Sequence, residues 1–442
     1  CLRVQTREHD GRMNQNDTVA RIRATHRSAA KANVRLETLD SWRGICALLV
    51  AVMHFPASGP LAESPVVRNA YLFVDYFFVL SGFVIAYGYG AKLVNGVNYL
   101  RFVILRIGRI YPLHVAVLAL FVAFEALRWA VPALAGNGAA PFTEGNSPFE
   151  LLTSLALLNG MGVDSRLTWN GPSWSISAEF WTYILFGGLV VLLGRRSWIA
   201  LVVAVVTAPS VLYLFSPDYM DATWDLGFVR CVYGFSLGAL IYFLAGDRLL
   251  SAKARQAAEP TARASVLELA AIVLVGLFVA LAGDNAASIA APFVFALSLY
   301  VFVLEGGVFS LMLRTRLFQW LGALSYGIYM VHIFVQARMI NLASVLEKIV
   351  GVELIGAFQI NGQDFYGFGL NGPVFGTLMV ATMIVSVVAV ALIAHLLIEK
   401  PFQRLSRKFA DIYAGHIMAL HPGAGGVEAP AQLDGHAASA RR

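Results

Sequence analysis

Arg43 and His54 are separated only by the apolar run GICALLVAVM. The eleven-residue step is almost three helical turns, so on a helix both project from one face, about 16 Å apart along the axis. A fixed cation at one end and an imidazole at the other suit a donor with a phosphate-bearing end and a long thin arm. Its anionic end would rest on Arg43 while its reactive end reaches His54. The bland reading makes Arg43 a topology anchor and His54 a hydrogen-bonded packing residue.

Other polar groups stand where burial is costly. Arg106 and Arg109 in RIGRIYP are three apart and share a helical face, which makes a phosphate clamp or an anionic-lipid contact. In YLFVDYFFVLSGF, Asp75 is a carboxylate that needs a partner, and Ser81 with Gly82 lets a helix or thin ligand approach closely. In WNGPSWSISAEFW, Ser175 and Glu179 lie four apart on one face. A desolvated carboxyl such as Glu179 suits acid/base work, or else belongs to a structural ion pair. His332 in SYGIYMVH follows Tyr326 and Tyr329, which line an acceptor site or simply anchor at the interface. His114 and His395 carry weaker signals. No metal-ligating set is expected.

These residues must be placed by membrane helices. Of 442 residues, 58% are hydrophobic and only 14% charged, against about 25% charged in ordinary soluble chains. Mean hydropathy is +0.67. A soluble domain, a disordered chain and a disulfide scaffold are excluded; two of the three Cys sit inside apolar runs. The net charge of +6 reads as cytoplasmic Lys and Arg rather than as nucleic-acid binding.

Apolar windows predict ten helical spans, near 44–59, 70–91, 110–131, 173–194, 197–215, 227–245, 264–283, 287–305, 318–338 and 373–398. The segment 150–160 is too short to cross and reads as re-entrant or interfacial. Every second connection is basic, which predicts both termini in the cytoplasm. The fold class expected is an all-α polytopic bundle: a mobile basic arm at 1–34, a membrane domain at 35–410 and a disordered tail at 411–442.

In this order the segments resemble the membrane-bound acyltransferase-3 family, the O-antigen and exopolysaccharide O-acetyltransferase type, over roughly 35–410. Arg43 and His54 match its Arg-x10-His signature. FVDYFFVLSGF, Arg106 with Arg109, WSISAEFW, SYGIYMVH and EKPF match its later landmarks. Phe73 replaces the usual Gly, and Phe180 stands where a second Glu is common. The fused hydrolase-like domain of some relatives is not expected, the tail being short.

The resemblance implies transfer of an acyl group, often acetyl, from cytoplasmic acyl-CoA to a hydroxyl of a cell-envelope or exported carbohydrate at a bacterial inner membrane. Arg43, Arg106 and Arg109 would hold the CoA phosphates, with acyl-CoA as a donor substrate and no resident cofactor. His54 would be general base, or would carry the acyl group itself. Glu179 would orient His54 or bind the acceptor. Asp75, Ser81, Ser175 and His332 would line the substrate site, with Ser81, Ser175 or a Tyr as oxyanion donor. The rivals are a transporter or flippase for lipid-linked saccharides, and a membrane protein with packing charges only.

Overall fold

The structure, a computed structural model, describes residues 35–93, 95–131, 140–255, 259–283, 285–360 and 362–420. The arm expected at 1–34 and the tail beyond 420 lie outside the described residues.

Helix α1 spans Glu37–Met53 rather than 44–59. It starts early because Glu37 and Asp40 occupy its first turn, where the helix dipole favours carboxylates. It stops early because Pro56 disfavours helical backbone at the residue before it. His54 is therefore the C-cap.

Helix α2 is Phe73–Tyr89. Helix α3 runs Gly96–Ala130 from the Asn95 cap straight through Pro112, so the basic stretch expected as a loop is helical. The short segment forms α4, Pro148–Leu155, opened by a Ser147–Glu150 capping box. Next come α5 (Ser173–Leu193), α6 (Ser197–Phe215), α7 (Gly227–Ile241), α8 (Ala262–Ala282), α9 (Ala291–Phe302) and α10 (Arg316–Val350). After α11 (Gly372–Ala394), the π turn His395–Glu399 leads into α12, Lys400–Leu420. Residues 411–420, expected in the disordered tail, thus belong to a helix.

Seven helical stretches among the described residues have the length and apolarity to cross a bilayer, against the ten expected. Continuity explains part of the difference. Ser173–Phe215 counts as one stretch of 43 residues, about 65 Å and twice the hydrocarbon thickness. The 3₁₀ turn Gly194–Arg196, which opens with Gly194 at φ 53°, divides it into α5 and α6. Helix α1, with 17 residues, and Ala286–Phe302 are shorter than the seven. Leu192 is 81% exposed and Leu244 79%, an outer surface that suits lipid rather than water. The molecule is a helical polytopic membrane protein.

One departure from the all-α expectation lies between α10 and α11. Strands β1 (Gly356–Ile360) and β2 (Gln363–Gly367) pair antiparallel, Phe358 opposite Phe365. The Asn-Gly dipeptide at 361–362 is a strong hairpin signal in the sequence.

Two helix pairs form the centre, α1 with α10 and α2 with α7. Glycines set both approaches. A Cβ on Gly44 would stand 2.5 Å from the Leu321 backbone carbon, and one on Gly322 would overlap the Asp40 carbonyl. Side chains on Gly82 or Gly238 would overlap the backbone of the facing helix, at Phe235 and Val79. Close backbone approach of this kind is how helices associate in lipid, where apolar faces gain little from meeting each other.

Candidate active site

A small cavity lies among α1, α2, α5 and α10. Arg43 stands on its wall with Ser81, Ser175, Glu179, Tyr326 and Tyr329. Each side chain comes from a different turn of a packed helix, so the shape depends on the two glycine approaches.

Three polar groups line or flank it. The first is cationic. Arg109 lies within electrostatic reach of Arg43, Arg106 and Glu399. Arg106 donates to the Tyr89 hydroxyl at 3.1 Å and lies 5.2 Å from the centre of that ring. The three arginines expected to act together are thus gathered, with Glu399 from the π turn beside them. Single π turns inside α-helices are frequent at functional sites.

The second group centres on Glu179. Its Oε1 accepts hydrogen bonds from the Tyr183 hydroxyl at 2.5 Å and from the Ser81 hydroxyl. Ser175 and Tyr329 hydroxyls meet at 2.8 Å, and both reach the Pro172 carbonyl. Ser81, Ser175 and Glu179 therefore share one chamber. Tyr183 was not singled out in the sequence, although it sits four residues after Glu179 on the same face.

The third group is a histidine pair. The rings of His54 and His332 lie 5.1 Å apart, centre to centre. His54 Nδ1 bonds the Val50 carbonyl at 2.9 Å, and His332 Nδ1 bonds the Tyr329 carbonyl at 2.7 Å. A carbonyl only accepts, so each Nδ1 carries the proton and each Nε2 presents a lone pair. His332 is fully buried, and its Nε2 has no hydrogen-bond partner among the described residues. Gln336, one turn further along α10, donates to the Ala51 carbonyl at 2.7 Å and fixes α10 against the end of α1.

His54 is not on the wall of the Arg43 cavity. Tyr329 stands between: it lines the cavity, and its ring lies 5.8 Å from that of His332. Nor does Glu179 touch His54; its hydrogen-bonding oxygen faces Ser81 and Tyr183. Arg43 stands on the cavity wall and His54 off it, so the two do not share one open corridor.

Asp75 finds its partner elsewhere. Both its oxygens accept from Arg230, at 3.0 and 2.8 Å, and both side chains are fully buried. The pair joins α2 to α7, away from the cavity wall. Arg230 was not singled out in the sequence, yet a lone arginine inside an apolar run is itself the signal. His114 Nε2 bonds the Ser154 carbonyl at 2.8 Å, which pins α4 to α3. His395 contacts Glu399 at 3.3 Å.

Comparison with known proteins places the chain in a family. A family model described as an acyltransferase domain matches residues 36–396. "Protein 2 in picA locus" of Rhizobium radiobacter is 34% identical over 154 residues, 33% of this chain and 77% of that protein. No solved structure matches the chain.

Proposed function

This chain belongs to the acyltransferase domain family and is a membrane acyltransferase, and we propose that it moves an acyl group, acetyl in the simplest case, from acyl-CoA to a carbohydrate hydroxyl. The proposed setting is a bacterial inner membrane. Ten spans cross it, with both termini and the Arg43, Arg106 and Arg109 cluster on the cytoplasmic side.

One observation carries the reading. Tyr329 lines the same cavity as Arg43, its ring lies 5.8 Å from that of His332, and His332 lies 5.1 Å from His54. The guanidiniums receive the CoA phosphates through charge-assisted hydrogen bonds. The thin arm follows the cavity past Ser81 and Ser175, and the thioester reaches His54 once the Tyr329 side chain yields.

His54 Nε2 then takes the proton of the acceptor hydroxyl as its oxygen attacks the thioester carbonyl. A C–O bond forms. The C–S bond breaks, the CoA sulfur leaves, and the His54 proton passes to it. Ser175 or Tyr329 supplies a hydroxyl to the developing oxyanion. Glu179 holds Ser81 and Tyr183 in place along the arm.

The test is free CoA release by the purified protein in lipid nanodiscs with acetyl-CoA and a saccharide acceptor. Acceptor-dependent release, absent from His54→Ala, supports the reading. Release that His54→Ala retains would remove the imidazole from it, and saccharide movement without thioester consumption would favour a transporter.

A further inference from the structure

The segment after His54 carries a cation that the proposed mechanism does not use. Arg68 ends the short helix Pro65–Arg68. Its Nη1 donates to the Met53 carbonyl at 3.3 Å, one residue before His54, and its charge is felt at the imidazole. Its guanidinium lies 4.6 Å from the centre of the Phe365 ring on β2. No carboxylate among the described residues pairs with it.

The β1–β2 hairpin is tied to this same segment. Phe368 donates from its backbone N–H to the Pro56 carbonyl at 2.8 Å, and its ring stacks on Phe55 at 5.5 Å. The hairpin thus stands beside the end of α1, with Arg68 set against its Phe365 ring and against the Met53 carbonyl next to His54. His54 is exposed there, at the opposite end of α1 from Arg43. Arg68 Nη1 is engaged by the Met53 carbonyl, but the other N–H groups of this guanidinium have no hydrogen-bond partner among the described residues, and such a planar edge can donate to a carboxylate or phosphate.

We propose that Arg68 receives an anionic group of the acceptor, a sugar phosphate or a uronate carboxylate, and so seats the acceptor hydroxyl over His54 from the hairpin side. This rests on the acyl-transfer reading above and specifies its acceptor class. The donor and acceptor then approach the imidazole from opposite ends of α1, each led by an arginine.

Methyl glucoside, methyl glucuronide and glucose 1-phosphate serve as probes that differ in charge and in its source. The wild-type protein should acylate one or both anionic probes with kcat/KM at least about tenfold above methyl glucoside, the scale of one charge-assisted contact. Arg68→Gln should collapse that ratio, and Arg68→Lys should keep part of it. Preference for glucuronide alone identifies a carboxylate, and for glucose 1-phosphate alone a phosphate. No anionic preference in the wild type, or a preference that survives Arg68→Gln, overturns the proposal. The same probes are read by thermal shift, which needs no turnover. Stabilisation by the anionic probes that Arg68→Gln loses upholds the site even if no probe is acylated, a result that would strike the acyl-transfer reading instead. An absence of stabilisation and of anionic preference overturns the site.

Discussion

His332 is fully buried beside His54, ring centres 5.1 Å apart, although 278 residues separate them in the chain. Each ring has its Nδ1 proton tied to a carbonyl of its own helix. The two free Nε2 atoms are therefore both bases, and one of them is reachable from outside. With one base exposed and the other dry, only the exposed member can exchange a proton with a substrate.

His54→Ala should lower kcat by about 10²–10⁴, the usual worth of general base assistance. His332→Ala should lower kcat less and leave the acyl-CoA KM where it was. The double variant should be no worse than His54→Ala alone, since both act in one step. CoA release kinetics measure all three. Additive losses would place His332 in a separate step.

Arg106→Ala and Arg109→Ala should raise the acyl-CoA KM roughly 10–100-fold each, the loss of one charged hydrogen bond. Dephospho-CoA thioesters refine the test. Whichever arginine holds the missing phosphate should show no further penalty with that donor. A donor KM unmoved by both substitutions would count against the clamp.

Glu179→Gln keeps an oxygen for the Ser81 and Tyr183 hydroxyls and removes only the charge. Its kcat should fall at least tenfold, roughly 1.4 kcal/mol, with little change in melting temperature. Glu179→Ala should also unfold earlier, because the hydroxyls of buried Tyr183 and half-buried Ser81 lose their acceptor, at up to about 1–3 kcal/mol for the buried one. Full activity in Glu179→Gln would reduce this residue to a structural role.

Asp75 and Arg230 form a pair with no exposed surface on either side chain. Removing one member leaves an uncompensated buried charge, so Asp75→Ala or Arg230→Ala should each cost about 3–5 kcal/mol. Replacing both by apolar residues of like size should cost far less. Thermal unfolding of the four proteins in nanodiscs gives the coupling energy, and a double variant as unstable as the sum of the singles would show that the pair is not coupled.

Much of the site was legible in the chain because helical spacing is local. Ser175 and Glu179 share a face by their i,i+4 step, and both line the cavity. Arg106 and Arg109 sit together for the same reason, on a helix that begins earlier than hydropathy alone predicts. The low charge, the apolar runs and the buried titratable groups identified a membrane bundle and most of its polar residues. A β-hairpin was written there too, in Asn-Gly between aromatic residues, but a short strand signal is weak beside twenty-residue apolar runs.

Which helices meet was decided only by the tertiary structure. In lipid every apolar face is equally content, so periodicity says that a face is buried but not against what. Gly44 against Leu321 and Gly82 against Phe235 settle that question through backbone contact. From those two contacts follow the partners of Asp75 and His54, while the hydrogen bond from Ser81 to Glu179 also needs α5 packed on α7. They also set Tyr329 between the cavity and the imidazoles, a separation that no spacing along α1 could reveal.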